Sequence, residues 1–343
     1  MENILFLAHT EADGTLSKAA LETLGAAVEL KQALNAALVA ALYGEKIQPA
    51  AHSISACGAQ RFLAVCGEDF AQARHATDAA ACEALVRASG ATIVFVAASS
   101  RNSRVVGAVA HRVHGCVDTH VTDVAAASGA PAVTRWFYRQ RIEGSLTRTQ
   151  RPWILLLDPG SCSPWQDAPG LSTPELIDAP LPDSLRRTTV RGTVTPPVDQ
   201  QTIRPDADLL FVAGAGWTKK QKDGQTHVPE AETIILDFLR NSKASLGGSK
   251  SLVDLSGENQ STLRFMSHLN QVGQTGATPR HPKGLSTCCH GEEPHTVGWR
   301  FIGERRAINL DPSCGWARGK ADVLYIADAF DVISKVNALL SAR

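Results

Sequence analysis

Through residues 1–158, short apolar, β-branched runs alternate with longer stretches in which apolar positions recur at helical spacing. That alternation is the pattern of strands and helices built around a parallel sheet. The runs at 4–8, 61–66, 92–97 and 153–157 predict strands. Between them, 16–42 and 71–88 carry apolar residues three and four apart, and 103–114 does so more weakly, so each predicts a helix. From 159 to 205 the periodicity fades, and prolines at 164, 169, 174, 180, 182, 196, 197 and 205 stand among Ser, Thr and Asp. Proline fixes its own backbone angle and withholds a donor, so this stretch cannot build a central sheet and predicts an extended linker. Beyond it, 208–213 reads as a buried strand and 229–239 as an apolar helix. Strands follow at 283–287, 307–310 and 323–326, and 329–340 closes as a helix with Phe330, Ile333, Val336 and Leu340 near one face. The expected fold class is α/β in two domains, 1–158 and 206–343, joined by the proline-rich 159–205.

Length and charge narrow this picture. At 343 residues the chain exceeds the roughly 250–300 residues at which one core stops growing. Lys and Arg total 34 and Asp and Glu total 34, so no net positive charge is available to neutralise a nucleic acid or hold an anionic membrane. The apolar run at 4–8 is followed by Glu11 to Gly14 without a cationic flank, so it reads as a first strand rather than a leader. No apolar run reaches the ~18 residues of a membrane span. These features predict a soluble, cytoplasmic protein without a nucleic-acid partner or membrane insertion. The cysteines at 57, 66, 82, 116, 162, 288, 289 and 314 form no Cys-x-x-Cys pair and read as core thiols. A metal site would recruit Cys288, Cys289, His290, His295 and Cys314, whose spacings match no zinc module.

In an open parallel sheet, ligands bind at the carboxyl ends of the strands. The first loop there is Gly214-Ala215-Gly216-Trp217. Its glycines permit close backbone approach, yet it lacks the third glycine of a dinucleotide fingerprint and the Gly-Lys-Ser/Thr of a P-loop, and a tight turn explains it equally. Gly247-Gly248-Ser249-Lys250-Ser251, followed by Val253-Asp254, offers a hydroxyl and a cation, or else a solvated turn. Gln271-Val272-Gly273-Gln274-Thr275-Gly276 gathers two amides and a hydroxyl between glycines, an uncharged donor set suited to one planar heterocycle. Gly291-Glu292-Glu293-Pro294-His295 and Ile308-Asn309-Leu310-Asp311-Pro312 complete the series.

Taken in order, these loops resemble the C-terminal domain of electron transfer flavoprotein alpha subunits. Gln271 to Gly276 stands as the family's most specific motif. Gly248-Ser249-Lys250 with Val253-Asp254 resembles its Gly-x-Ser-Arg segment and the Val-Asp beyond, and Gly291 to His295 resembles its Gly-x-x-Gln-His segment. Asn309 and Asp311 match its Ile-Asn-x-Asp strand end, and Asp322 its late Ala-Asp. The motifs cover 207–343; the N-terminal half is similar only in its order of strands and helices. The resemblance implies an N-terminal, nucleotide-hydrolase-like α/β domain on a parallel sheet that packs on a separately encoded beta subunit. It also implies a C-terminal flavodoxin-like or Rossmann-like domain that holds FAD. The implied activity is electron carriage from dehydrogenases to an acceptor such as a quinone oxidoreductase. By the same resemblance, Thr275 lies near flavin N5, Ser249 and Lys250 near the ring and its pyrimidine side, and His295 near its N1 and O2 edge. Gln271, Val272, Gly273, Gln274 and Gly276 shape the loop along the flavin, Gly216 and Gly291 lie in flanking loops, and Asn309, Asp311 and Asp322 belong to the adenosine end.

Three departures from the family pattern bear on redox tuning. Lys250 stands for the usual arginine, keeping charge but losing the planar fork. The loop 214–217 has lost its arginine and gained Trp217, which puts its usual phosphate or partner contact in doubt. Glu292 and Glu293 add carboxylates where the family is neutral, which lowers the flavin potential if either faces the ring. An enzyme with its own substrate is the competing expectation, but no nucleophile and base pair stands out, and His111, His114 and His120 match no motif. Ser99-Ser100-Arg101 could bind an anion or be a polar loop. A nucleotide-binding module without redox work is the third class.

Overall fold

The computed structural model describes residues 2–138, 142–192, 194, 197, 202–254, 262–273, 276–287, 301–312 and 321–342. The chain divides into two compact units, 1–192 and 193–343.

Unit 1 contains β1 (Asn3–His9), α1 (Lys18–Leu34), β2 (Ala37–Gly44), α2 (Gln48–Ser53), β3 (Arg61–Cys66), α3 (His75–Ser89) and β4 (Ile93–Ala97). It continues with α4 (Ser100–Ser103), α5 (Val106–Arg112), β5 (Cys116–Ala127), β6 (Ala130–Phe137), β7 (Ile142–Leu146), β8 (Trp153–Leu157) and β9 (Glu175–Leu176). The strands form one sheet in the order β7-β6-β5-β8-β4-β1-β2-β3-β9. Because successive side chains point to opposite faces, β1 sends Ile4, Phe6 and Ala8 into one core with Leu24 and Leu30 of α1. It sends Leu5 and Leu7 into the other, with Leu85 of α3 and Val109 of α5. A strand buried on both faces reads as a continuous apolar run, and this makes β1, β4 and β8 legible in the sequence.

The expected helix over 16–42 is instead two elements. Asn35 adopts φ 49° after α1, with its N–H donating to Gln32 O and Lys31 O, a left-handed cap that Asn tolerates well. Ala37–Gly44 then pairs in parallel with both β1 and β3. Its Ala and Leu residues favour helix locally, and burial between two strands overrides that preference. The sheet is also mixed, where the sequence predicts a parallel one: β5 pairs antiparallel with β6, and β6 with β7. The turn between β5 and β6 is Ser128-Gly129, both at positive φ, the geometry of a two-residue hairpin. Asp118 of β5, fully buried, accepts hydrogen bonds from Arg135 of β6 at 2.8 Å and from the Trp153 indole of β8 at 2.9 Å. It also accepts from Arg148, whose Nη2 lies 2.8 Å away, so one carboxylate ties the hairpin to the parallel strands.

The proline-rich stretch belongs largely to unit 1, where the sequence predicts a linker from 159 onward. Trp165 and Cys162 pack against the first core, and Trp165 N donates to Leu21 O at 2.9 Å. The chain passes so close to α1 that a Cβ on Gly25 would lie 2.4 Å from Ser163 O. It then adds β9 beside β3, and Ile177, Ala179 and Leu181 pack against the second core. A segment poor in donors suits this work, because covering an edge strand demands few ladder bonds.

Unit 2 contains β10 (Leu209–Ala213), α6 (Val228–Ser242), β11 (Ser245–Gly248), α7 (Lys250–Asp254), β12 (His281–Thr287), β13 (Ile302–Asn309), β14 (Val323–Ile326) and α8 (Ala329–Ser341). Among the described residues its five strands are parallel, in the order β11-β10-β12-β13-β14. Phe211, Leu246 and Ile308 meet Ile235, Phe238 and Ile333 of α6 and α8 on one face. Leu210, Val212 and Ala307 meet Val272 on the other. Strand β11 is not among the expected elements, because Ser245-Leu246-Gly247-Gly248 has the composition of a turn; its ladder with β10 makes it a strand. No helix among the described residues is long and apolar enough to cross a membrane.

Candidate functional site at the carboxyl edge of the second sheet

All five strands of unit 2 point the same way, so the segments after β10, β11 and β13 converge on one edge of its sheet. After β10, the chain turns through Gly214 and a 3-10 turn at Ala215–Thr218. Gly216 is buried, and its carbonyl accepts from Gln221 Nε2 at 3.0 Å. Trp217 is fully buried, 4.6 Å between ring centroids from Phe330, and its Nε1 donates to Thr287 Oγ1 at 2.8 Å. The aromatic that replaces a polar loop residue is thus a core residue that fastens the loop to β12.

After β11, Ser249 is 1 % exposed. Its N–H donates to Ala213 O, and its Oγ accepts from Leu252 N at 3.2 Å, which caps the short α7. Capping satisfies one of the free N–H groups at a helix start. It also sets Lys250 at the rim, half-exposed, with Nζ 3.8 Å from Asp254. Asp254 lies 3.8 Å from His268 Nδ1 as well, so the lysine's charge is partly balanced.

Gln271 forms a bridge with Gly248, and Val272 N donates to Gly248 O at 3.0 Å. The described part of the loop closes on itself: Ala277 N donates to Gln271 O at 2.7 Å and Gly273 N to Ala277 O at 2.9 Å. Gly273 holds φ 118°, and a Cβ on Gly276 would lie 2.2 Å from Gln271 O. Both positions therefore require glycine, one for its backbone angle and one for space. Gln271 and Val272 are buried. Gln274, Thr275, Gly291 and His295 lie outside the described residues, as do Glu292, Glu293 and the cysteine and histidine cluster of 288–290 and 314.

At the end of β13, Asn309 is 1 % exposed. Its Oδ1 accepts from Asp311 N at 3.3 Å, while its Nδ2 is buried without a partner among the described residues. Beside it is a cavity of ≈ 10 Å³ bordered by Gln221, Ile308, Leu310 and Asp328, about the room one water needs. Asp311 is exposed. Asp322 does not join this group. It precedes β14 at the opposite, amino edge of the sheet, where Arg305 donates to it from both backbone (2.7 Å) and guanidinium (2.9 Å). That Arg305 pair holds the Asp322 carboxyl below the usual carboxylate range.

Three supporting residues escape sequence reasoning. Gln221 braces the first loop, and Asp328 caps α8 by accepting from Phe330 N at 3.0 Å. The third is Asn270, which with Ser267 forms a reciprocal cap. The signals available were an Asp immediately before an apolar helix and a Ser three residues before a side-chain amide. Among the described residues no group of His, Cys, Asp or Glu could hold a metal ion. In unit 1, a separate cleft of ≈ 510 Å³ is walled by Glu45, Glu68, Asp69, Arg74, Thr189 and Val190. Asp69 there is paired with both Arg74 and Arg186.

Comparison with known proteins places the family signal in the other half of the chain from these loops. No curated protein matches the chain. A family model described as the electron transfer flavoprotein domain matches residues 4–184, just over half of the 343 residues and nearly the whole mixed sheet of unit 1. The chain belongs to the electron transfer flavoprotein family.

Proposed function

We propose that the chain is the alpha subunit of a heterodimeric electron transfer flavoprotein, working in the cytoplasm, with FAD held at the carboxyl edge of unit 2. In this reading a beta subunit is its partner, dehydrogenases are its donors, and a quinone oxidoreductase or similar protein is its acceptor. The observation that carries it is the bridge between Gly248 and Gln271, which sets the start of the Gln271–Gly276 motif beside Ser249 and Lys250. Residues 23 positions apart, singled out separately, thus share one edge of one sheet.

The donor set fits a flavin nucleotide. It comprises side-chain amides, a buried hydroxyl, glycine backbone and the rim cation Lys250, with the buried Asn309 Nδ2 still lacking a partner among the described residues. When bound, FAD would supply reversible one- and two-electron chemistry. Lys250 would place positive charge at the ring's edge and favour the reduced, more negative flavin. Ser249 would position Lys250 through its cap, and Trp217 would hold the β10 loop closed behind the site. Cys57 and Cys82 are buried, unpaired thiols, which suits a reducing compartment.

The test is a visible spectrum of the chain co-expressed with the product of the adjacent gene, followed by anaerobic photoreduction. A flavin spectrum that bleaches through a one-electron stage supports the electron carrier. A preparation that turns over a small substrate without any partner would favour an enzyme instead. A colourless protein that does not take up FAD would defeat the proposal and favour a nucleotide-binding or scaffolding role.

A further inference from the structure

Among the described residues, strand β11 has a neighbouring strand, β10, on one side only. Backbone groups of a parallel strand alternate between its two sides, so the carbonyls of Leu246 and Gly248 form an outer row with no strand of the described residues beside them. Both residues are buried, and a buried carbonyl without a partner is costly. The two residues flanking Gln271 fill that row. Asn270 Nδ2 donates to Leu246 O at 3.4 Å, and Val272 N donates to Gly248 O at 3.0 Å. A side-chain amide and a backbone amide together imitate one more strand.

Asn270 is 2 % exposed and has work at both ends of its carboxamide. While Nδ2 reaches the strand, Oδ1 accepts from Ser267 N at 3.2 Å and from Ser267 Oγ at 3.3 Å. The turn it closes is tied down upstream, where Arg264 N donates to Glu232 Oε1 of α6 at 2.7 Å. Downstream, the loop closes on itself through Ala277 N and Gln271 O. An aspartate would keep the acceptor and lose the donor; an alanine would lose both. We infer that Asn270 is a positioning residue that sets Gln271 and Val272, the start of the flavin-like motif, against the end of β11, and with them the motif's grip on the flavin. The inference rests on the reading that this loop holds FAD.

The test compares the full chain with its Asn270→Ala, Asn270→Asp and Ser267→Ala variants by FAD titration, by the two one-electron flavin potentials and by thermal melting. Ser267→Ala removes a hydroxyl from the same turn but keeps the bond to Leu246, so it reports on turn stability alone. Loss of a buried hydrogen bond predicts FAD affinity weakened about tenfold in both Asn270 variants, with the gap between the two potentials altered. Ser267→Ala should keep the affinity and potentials of the wild type even if it melts earlier. Wild-type affinity and potentials in the Asn270 variants, or equal losses in Ser267→Ala, would overturn the inference while leaving the FAD site intact. If Asn270→Ala does not fold, Asn270→Asp, which keeps the Ser267 contacts, decides. A wild-type chain that takes up no FAD overturns the underlying reading before any variant is compared.

Discussion

Asn309 and Asp322 come from neighbouring strands and from adjacent motifs, yet they sit at opposite edges of the sheet. Asp322 precedes its strand and Asn309 ends its own, and the four residues of β14 separate the two edges by about 13 Å at ~3.3 Å per residue. Asp322 is committed to Arg305, whereas the amide of Asn309 keeps a buried donor without a partner among the described residues. Replacing Asn309 by Ala should therefore weaken nucleotide binding by about 1–2 kcal/mol, the worth of one buried hydrogen bond to a ligand. Isothermal titration with FAD would register this as a rise in Kd of about 5- to 30-fold; Asp322→Asn should bind like the wild type. Lys250 makes the second residue-level test. Its flexible stem holds a point charge 3.8 Å from Asp254, and an arginine there would bring a planar fork that gives more directed hydrogen bonds. Lys250→Arg should raise the potential for the first electron by on the order of 30–60 mV, about 1 kcal/mol for a one-electron step. An unchanged potentiometric titration would refute a role for Lys250 at the ring. Residue identities were legible at this scale, but partners were not: Trp217 read only as a departure that put the loop's usual contact in doubt, and it is a core residue bonded to Thr287.

Individual elements depend on a few buried charges, and two of these respond oppositely to pH. Burial pushes the Asp118 carboxyl up, but the hydrogen bonds from Arg148, Trp153 and Arg135 outweigh it and hold it below the usual carboxylate range. A lowered folded value contributes stability above the unfolded pKa of about 3.9, which is lost as pH falls through the folded value. Asp118→Asn should cost unit 1 about 3–5 kcal/mol near neutral pH, because it leaves arginines facing a neutral amide. The deficit should shrink in acid, where the wild-type carboxyl is itself protonated. Glu22 of α1 is the counter-case. Burial raises its carboxyl above the ordinary value despite a 2.7 Å hydrogen bond from Gly160 N. Its contribution is greatest below the unfolded pKa and declines as pH rises through the raised folded value. Glu22→Gln, which keeps an acceptor for Gly160, should leave stability at pH 7 within about 0.5 kcal/mol of the wild type or above it. Urea unfolding at pH 7 and at pH values below about 3.9, followed by far-ultraviolet circular dichroism, checks both, and equal losses for the two variants at pH 7 would contradict the argument.

Across the whole molecule, each unit has its own pair of cores, and the described residues of the candidate site belong to unit 2. Added FAD at a hundred times its Kd should stabilise the unit that binds it by about 2.7 kcal/mol. Scanning calorimetry should show that gain in the transition that Asp118→Asn leaves unmoved. A gain confined to the transition that Asp118→Asn lowers would mean that the nucleotide sits in unit 1.

The sequence by itself determined the α/β class, the two-part organisation, most buried strands and the order of the loops that carry the flavin-like motif. These follow from local chemistry: apolar runs report strands buried on two faces, and glycines report tight backbone. Only the tertiary structure decided that Ala37–Gly44 is a strand, that the sheet of unit 1 ends in an antiparallel ribbon, and that prolines 164 to 182 belong to a strap over one domain. Each of those outcomes depends on a neighbour far along the chain, β1 and β3 for β2, or Asp118 for the ribbon. A segment's own residues do not say which buried carbonyl, open edge or unpaired charge will be waiting for it. The same holds for Asn270, an unremarkable polar residue in the sequence whose importance comes from the outer edge of β11.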